Sequence, residues 1–151
     1  MRTMHTQTGT SMIEVLVTVV ILSVSLLAMA AMQTQSVKLN QSALLRSQAN
    51  IMAYEIMDRI RINRGKDSTN IAGYTADYDA TPSGNTLAVQ DVSSWRSNLA
   101  STLPAGKGAI DCVAATRLCK VSVKWSEEQI FGAAATNNPD ATTEFVYQTN
   151  I

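Results

Sequence analysis

Between Gly9 and Gly65 the sequence contains neither glycine nor proline. Those residues are the strong helix breakers, one for backbone entropy and the other for its missing N–H and its ring. Their absence predicts one extended helix rather than several packed ones. Histidine is almost missing as well: the only one is His5. His5 falls in the expected leader (residues 1–9), so the mature chain would have no imidazole for a general base or for a Ser–His or Cys–His pair. No glycine-rich phosphate loop is present either. Glu127 and Glu128 are adjacent carboxylates, read as a solvated turn rather than an acid/base pair. No catalytic constellation emerges, and the expectation is a protein that is not an enzyme and takes no cofactor. There is also no excess of charge. Twelve basic residues balance 12 acidic ones, so the basic face that displaces counterions from nucleic acid is lacking.

Charge is missing altogether from Val15 to Val37. As a helix this run reaches about 34 Å, enough for a hydrocarbon core of about 30 Å. The rest of the chain is polar and rich in Ser, Thr, Asn and Ala. Only two cysteines occur, Cys112 and Cys119, both well past the apolar run. Their spacing is not C-x-x-C and no histidine stands near to complete a zinc site. In a chain with an export segment such a pair suggests a disulfide.

The start of the chain admits three readings. Arg2 and the Ala28-Met29-Ala30 site suit a secretory signal that would release a soluble binding domain, yet the apolar run is long for one and opens on a carboxylate, Glu14. A plain single-span anchor fits the hydropathy and leaves Glu14 to be solvated at the interface. The third reading comes from Gly9-Thr10-Ser11-Met12-Ile13-Glu14-Val15-Leu16-Val17, which resembles the type IV pilin signature. The resemblance implies cleavage by a prepilin peptidase after Gly9, N-methylation of Thr10 and an assembly role for Glu14, the fifth mature residue. Thr10 departs from the Phe usual in that family. An unpaired carboxylate in lipid is costly and is usually kept for function. Here it would meet the new α-amine of a neighbouring subunit.

After Lys38 the helix pattern becomes amphipathic. Leu45, Ala49, Met52, Ile56 and Ile60, flanked by Ala53 and Met57, form one stripe for a core. A second line, Leu44, Ile51 and Ile62, either covers more of that core or meets a neighbouring subunit. Gly65 is positioned as a C-cap. The stretch from Leu44 to Arg64 also resembles the helix of PilV-type minor pilins. An R-S-Q-A element covers Arg46–Ala49, and an A-Y-x-x-x-D-R-x-R-x-N-R element covers Ala53-Tyr54, Asp58-Arg59, Arg61 and Asn63-Arg64.

Residues 66–90 read as a long polar loop with at most one short strand. Asp77, Asp79, Thr81, Ser83 and Asn85 alternate faintly like a calcium loop, but Pro82 and Ala88 stand where Gly and Glu are needed. Asp91 or Ser93 is positioned to cap a short helix bearing Val92, Trp95, Leu99 and Leu103. Strands are expected at 109–114, 118–125 and 143–148. In the second, Cys119, Val121, Val123 and Trp125 alternate with Lys120, Ser122 and Lys124; in the third, Phe145 and Tyr147 share a face. A second loop falls at 127–142. Leu103–Ile110 followed by Val123–Trp125 again resembles PilV-type subunits.

The expected architecture is α+β: the type IV pilin fold, a long N-terminal helix whose second half packs on a small antiparallel sheet. Its parts are a leader (1–9), a transmembrane and filament-core half (10–37), an amphipathic half (38–64) and a periplasmic β domain (65–151). The resemblance implies a minor pilin of the tip or priming complex, anchored in the inner membrane and later in the pilus. It would support assembly, adhesion and twitching. Its implied partners are other minor pilins, the major pilin, the prepilin peptidase and a PilY-type tip adhesin. A minor pseudopilin of a type II secretion system is the alternative.

Overall fold

The computed structural model describes residues 11–65, 70–81, 83–132 and 142–151. The architecture is α+β. Helix α1 runs unbroken over Met12–Asn63, 52 residues, as the missing breakers predict. Gly65 adopts φ +72°, the left-handed conformation that closes a helix end. The Asn70 side-chain amide donates to the Asn63 carbonyl at 3.1 Å and satisfies one of the last orphan acceptors.

The chain divides into two compact units, Met1–Leu39 and Asn40–Ile151. In the first, every residue from Met12 to Val37 is exposed. This part of α1 is long and apolar enough to cross a membrane, and no part of that window is buried. Its hydroxyls turn inward on the helix itself. Thr18 donates to the Val15 carbonyl at 2.8 Å, Ser23 to Val19 at 2.7 Å, Ser25 to Ile21 at 2.9 Å and Thr34 to Ala30 at 3.0 Å. Polar groups in lipid have to be satisfied in this way, within the segment.

In the second unit, the amphipathic part of α1 lies in a core with a helix and a three-stranded sheet. Ala49, Ala53, Ile56, Met57 and Ile60 are fully buried, with Leu45 and Met52 packed at the margin, so the stripe read from the sequence is the core face. Leu44, Ile51 and Ile62 are exposed and do not cover the core. The 66–90 segment is more structured than a loop. Its described part holds a 3₁₀ turn at Ile71–Tyr74, a single bridge from Ala76 to Ile110 and the start of helix α2. Helix α2 spans Leu87–Thr102 and begins before the expected caps. Thr86 is the N-cap, its hydroxyl accepting from the Val89 N–H at 3.4 Å. Asp91 and Ser93 therefore lie inside the helix. Val92, Trp95 and Leu99 line its buried face, and Leu103 follows at its end.

Strands β1 (Lys107–Val113), β2 (Leu118–Ser126) and β3 (Thr142–Asn150) form an antiparallel sheet in that order, with β2 central. Cys119, Val121, Val123 and Trp125 point into the core. On the opposite face Ser122 is also buried. The half-buried Tyr78 crosses that face: its ring lies 4.2 Å from the Lys124 ammonium, and its hydroxyl donates to Glu144 Oε1 at 2.7 Å. On β3, Phe145 and Tyr147 share the inward face, and Tyr147 meets Tyr54 of α1 with ring centroids 4.5 Å apart. A short helix, α3, covers Glu128–Phe131. The remainder of the expected 127–142 loop, residues 133–141, lies outside the described residues, as do 66–69 and Pro82.

Candidate functional site

Gly9 and Thr10, the expected cleavage and methylation positions, lie outside the described residues. Glu14 lies in the first turn of α1, where its N–H donates to the Ser11 carbonyl at 2.9 Å. A carboxylate suits that end of the helix dipole. It is also the one charged side chain at the head of a run in which Thr18, Ser23, Ser25 and Thr34 are satisfied along the helix.

Cys112 and Cys119 face each other across β1 and β2 and form a disulfide, with Cα atoms 4.2 Å apart. The pair is of the non-hydrogen-bonded kind, because Cys112 turns its peptide groups away from β2. Its N–H donates to Thr75 Oγ1 at 3.2 Å, and its carbonyl accepts from the same hydroxyl at 3.3 Å. Closing so short a loop contributes about 2–3 kcal/mol by chain entropy, which matters in a small domain with few aromatics.

Four of the residues in the PilV-like elements, Ala53, Tyr54, Arg59 and Asn63, join α1 to the rest of the domain. Ala53 is core and the Tyr54 ring packs at a tilt against that of Tyr147. Arg59 bridges two acids, donating to Glu55 at 2.7 Å and to Asp91 of α2 at 3.2 Å. The buried Tyr74 hydroxyl donates to the other Asp91 oxygen at 2.7 Å and accepts from Asn63 Nδ2 at 2.9 Å. Asp58 and Arg61 pair at 2.8 Å on the surface, an exposed contact worth little. One chain of polar contacts thus joins α1, the 3₁₀ turn and α2.

Burial, reinforced by the Asp91 carboxylate, pushes the Tyr74 phenol up to about 12, and burial with Glu144 does the same for Tyr78. The native state therefore keeps protons that an unfolded chain gives up from about pH 10. Stability from these groups is present below pH 10 and is lost as the pH rises from about 10 toward 12. Ultraviolet titration of the folded chain is expected to show two phenols ionising near pH 12. Tyr74→Phe should remove one of them.

Glu127 corrects the expectation of a solvated turn. It is buried, whereas Glu128 is exposed. Its Oε1 accepts from the Ser42 hydroxyl at 3.0 Å and from the Trp125 indole N–H at 3.2 Å, with Arg46 Nε at 3.8 Å. A buried indole needs an acceptor, and Glu127 supplies it while tying α1 to the end of β2. Glu127→Ala leaves two donors unpaired and is expected to cost about 2–4 kcal/mol. Glu127→Gln retains an acceptor and should cost less than half as much. Urea unfolding followed by tryptophan fluorescence measures both.

The faint calcium pattern is filled by a side chain of the chain itself. Arg96 of α2 donates to the carbonyls of Asp77 and Ala80 and, at 3.0 Å, to that of Gly108 on β1. Asp79 pairs with Lys107 at 2.6 Å. Burial lowers the Arg96 pKa from its usual value. Among the described residues no cluster of His, Cys, Asp or Glu is placed to hold a metal. The sequence reading missed Tyr74 and Arg96 and gave Asp91 and Glu127 other roles. A poor helix former inside α2 and an acid two residues after a core tryptophan were the available signals.

The sequence matches no protein-family model, and no curated protein and no solved structure matches the chain.

Proposed function

We propose that the chain is a membrane-anchored minor subunit of a type IV pilus-like filament, processed after Gly9 and most like the PilV-type minor pilins. The observation that carries this reading is a wholly exposed, lipid-length apolar helix headed by a single acid. The same helix continues into a small disulfide-closed α+β domain. In this reading the anchor stores the subunit in the inner membrane with its domain in the periplasm. Cleavage creates the Thr10 amine, later methylated, and Glu14 of one subunit neutralises that amine on the next. Such a pair gives registry more than net stability, since both charges are desolvated on assembly. The domain then meets other minor pilins, the major pilin and a PilY-type adhesin at the tip, and so supports assembly, adhesion and twitching. The PilV-type part of the reading rests on the sequence resemblance between Arg46 and Arg64.

Deletion of the gene and complementation test the proposal. The expected result is loss of surface filaments and twitching with protein secretion intact. Lost secretion with filaments retained would instead assign the chain to a type II secretion pseudopilus. A Gly9→Leu variant should accumulate as uncut precursor, read as a mass larger by the leader. Normal processing would refute the assigned cut.

A further inference from the structure

The Cys112–Cys119 disulfide stands one pair short of the end of its hairpin: only Val113 and Leu118 pair beyond it before the turn. Fraying of a hairpin tip ordinarily exposes a bond placed there, because terminal pairs open at little cost. Here the tip is tied on both sides. Cys112 donates its N–H to Thr75 Oγ1 at 3.2 Å, and its carbonyl accepts from the same hydroxyl at 3.3 Å. Two residues earlier, Ile110 exchanges both backbone bonds with Ala76, at 2.8 and 2.9 Å. By the alternation of the ladder, Cys119 turns its own peptide groups toward Thr149 of β3. The turn is held as well: the Ile151 N–H, just past β3, donates to the Arg117 carbonyl at 2.8 Å. Opening the tip therefore means parting β1 from Thr75 and Ala76, and β2 from β3.

The two cysteines lie on the core side of the sheet. Cys119 is fully buried and Cys112 is 7 % exposed, in one cluster with Ile71, Ile110 and Val121. Thiol–disulfide exchange requires an attacking thiolate to reach a sulfur, so its rate depends on access. We infer that the Cys112–Cys119 bond is made on the open chain before the sheet closes, and that afterwards it exchanges with soluble thiols only when the domain unfolds. The reaction that supplies it is a two-electron oxidation by an external disulfide acting on the extended segment 112–119. One cysteine thiolate attacks the external disulfide and releases its first thiol. The second cysteine thiolate attacks the mixed disulfide and releases the other, so both cysteines are oxidised and the external disulfide is reduced to two thiols. In reverse, an external dithiol supplies the two electrons and closes to its own disulfide. By microscopic reversibility both directions pass through the same open chain. The inference goes beyond the filament reading and uses no part of it.

The test is reduction of the full chain in detergent by dithiothreitol, quenched by alkylation and followed by intact mass. Below the unfolding transition the logarithm of the rate is expected to rise linearly with urea, with the slope of equilibrium unfolding. Exchange that is slow against reclosing follows the open population. Gly108→Ala acts on Trp95 and Leu99 rather than on the sulfurs. It should speed reduction about a hundredfold, the ratio that a large overpacking cost implies. Glu127→Gln, whose effect is smaller because an acceptor for Ser42 and Trp125 remains, serves if the first variant loses the fold. Its acceleration should equal its measured change in the unfolding constant. Thr75→Ala frees Cys112 locally and should accelerate reduction by no more than it raises the unfolding constant. A rate independent of urea, or a wild-type rate in the destabilised variants, would overturn the inference, since either means that the hairpin tip frays. A Thr75→Ala chain reduced tenfold faster than its stability accounts for would overturn it equally.

Discussion

Glu14→Ala should insert in the membrane at the wild-type level and enter filaments at a tenth of that level or below. Insertion is not harmed because the substitution removes a charge that costs about 2.5–3.5 kcal/mol at the centre of a bilayer and less near its edge. Thr18, Ser23, Ser25 and Thr34 remain satisfied along the helix. Assembly is different. In the filament the amine created at Thr10 would be buried without a partner, and breaking a buried pair costs about 3–5 kcal/mol. That exceeds a hundredfold in an equilibrium constant. Glu14→Gln should behave alike, since it offers a hydrogen bond and no charge. Quantifying the chain in membrane and sheared-filament fractions separates the two effects. Wild-type incorporation of both variants would remove the pairing from the account.

Gly108→Ala should lower the stability of the domain by about 3 kcal/mol, near the upper end for overpacking. A Cβ at this position would run into the Trp95 ring and would lie 2.6 Å from Leu99 Cδ1. Neither neighbour is free to move. Both are fully buried, and Trp95 is held by its indole N–H, which donates to the Met52 carbonyl of α1 at 2.9 Å. For a domain near 100 residues the loss amounts to roughly 10–20 °C in Tm. Gly73→Ala is the control: its Cβ would meet Ala88 Cβ at 3.5 Å, an ordinary contact, and the cost should stay below about 1 kcal/mol. Thermal unfolding followed by tryptophan fluorescence compares the two variants.

The sequence disclosed the features that repeat. An unbroken run from Thr10 to Arg64 yields α1, and the three- and four-residue steps from Leu45 to Ile60 yield its buried face. Strict alternation in β2 identified the core side of the central strand. Single interactions were harder to see. Thr86 caps α2 ahead of Asp91 because Asp91 is engaged by Arg59 and Tyr74, partners 32 and 17 residues away in the chain. Glu127 looks like a surface acid until Ser42, 85 residues distant, and the indole of Trp125 are placed on it. Ser122 is buried on the outer face because Tyr78 crosses it, which no local pattern announces. The candidate assembly residue Glu14 was legible for the opposite reason. It is conspicuous by being the only charge at the head of an apolar run, and it needs no distant partner within its own chain.

The most direct test of the filament account is the intact mass of the chain purified from membranes of its own host. The account predicts a mature protein beginning at Thr10, heavier by one methyl group and lighter by the two hydrogens of a Cys112–Cys119 disulfide. An amino terminus at Met1, or one created after Ala30, would contradict it.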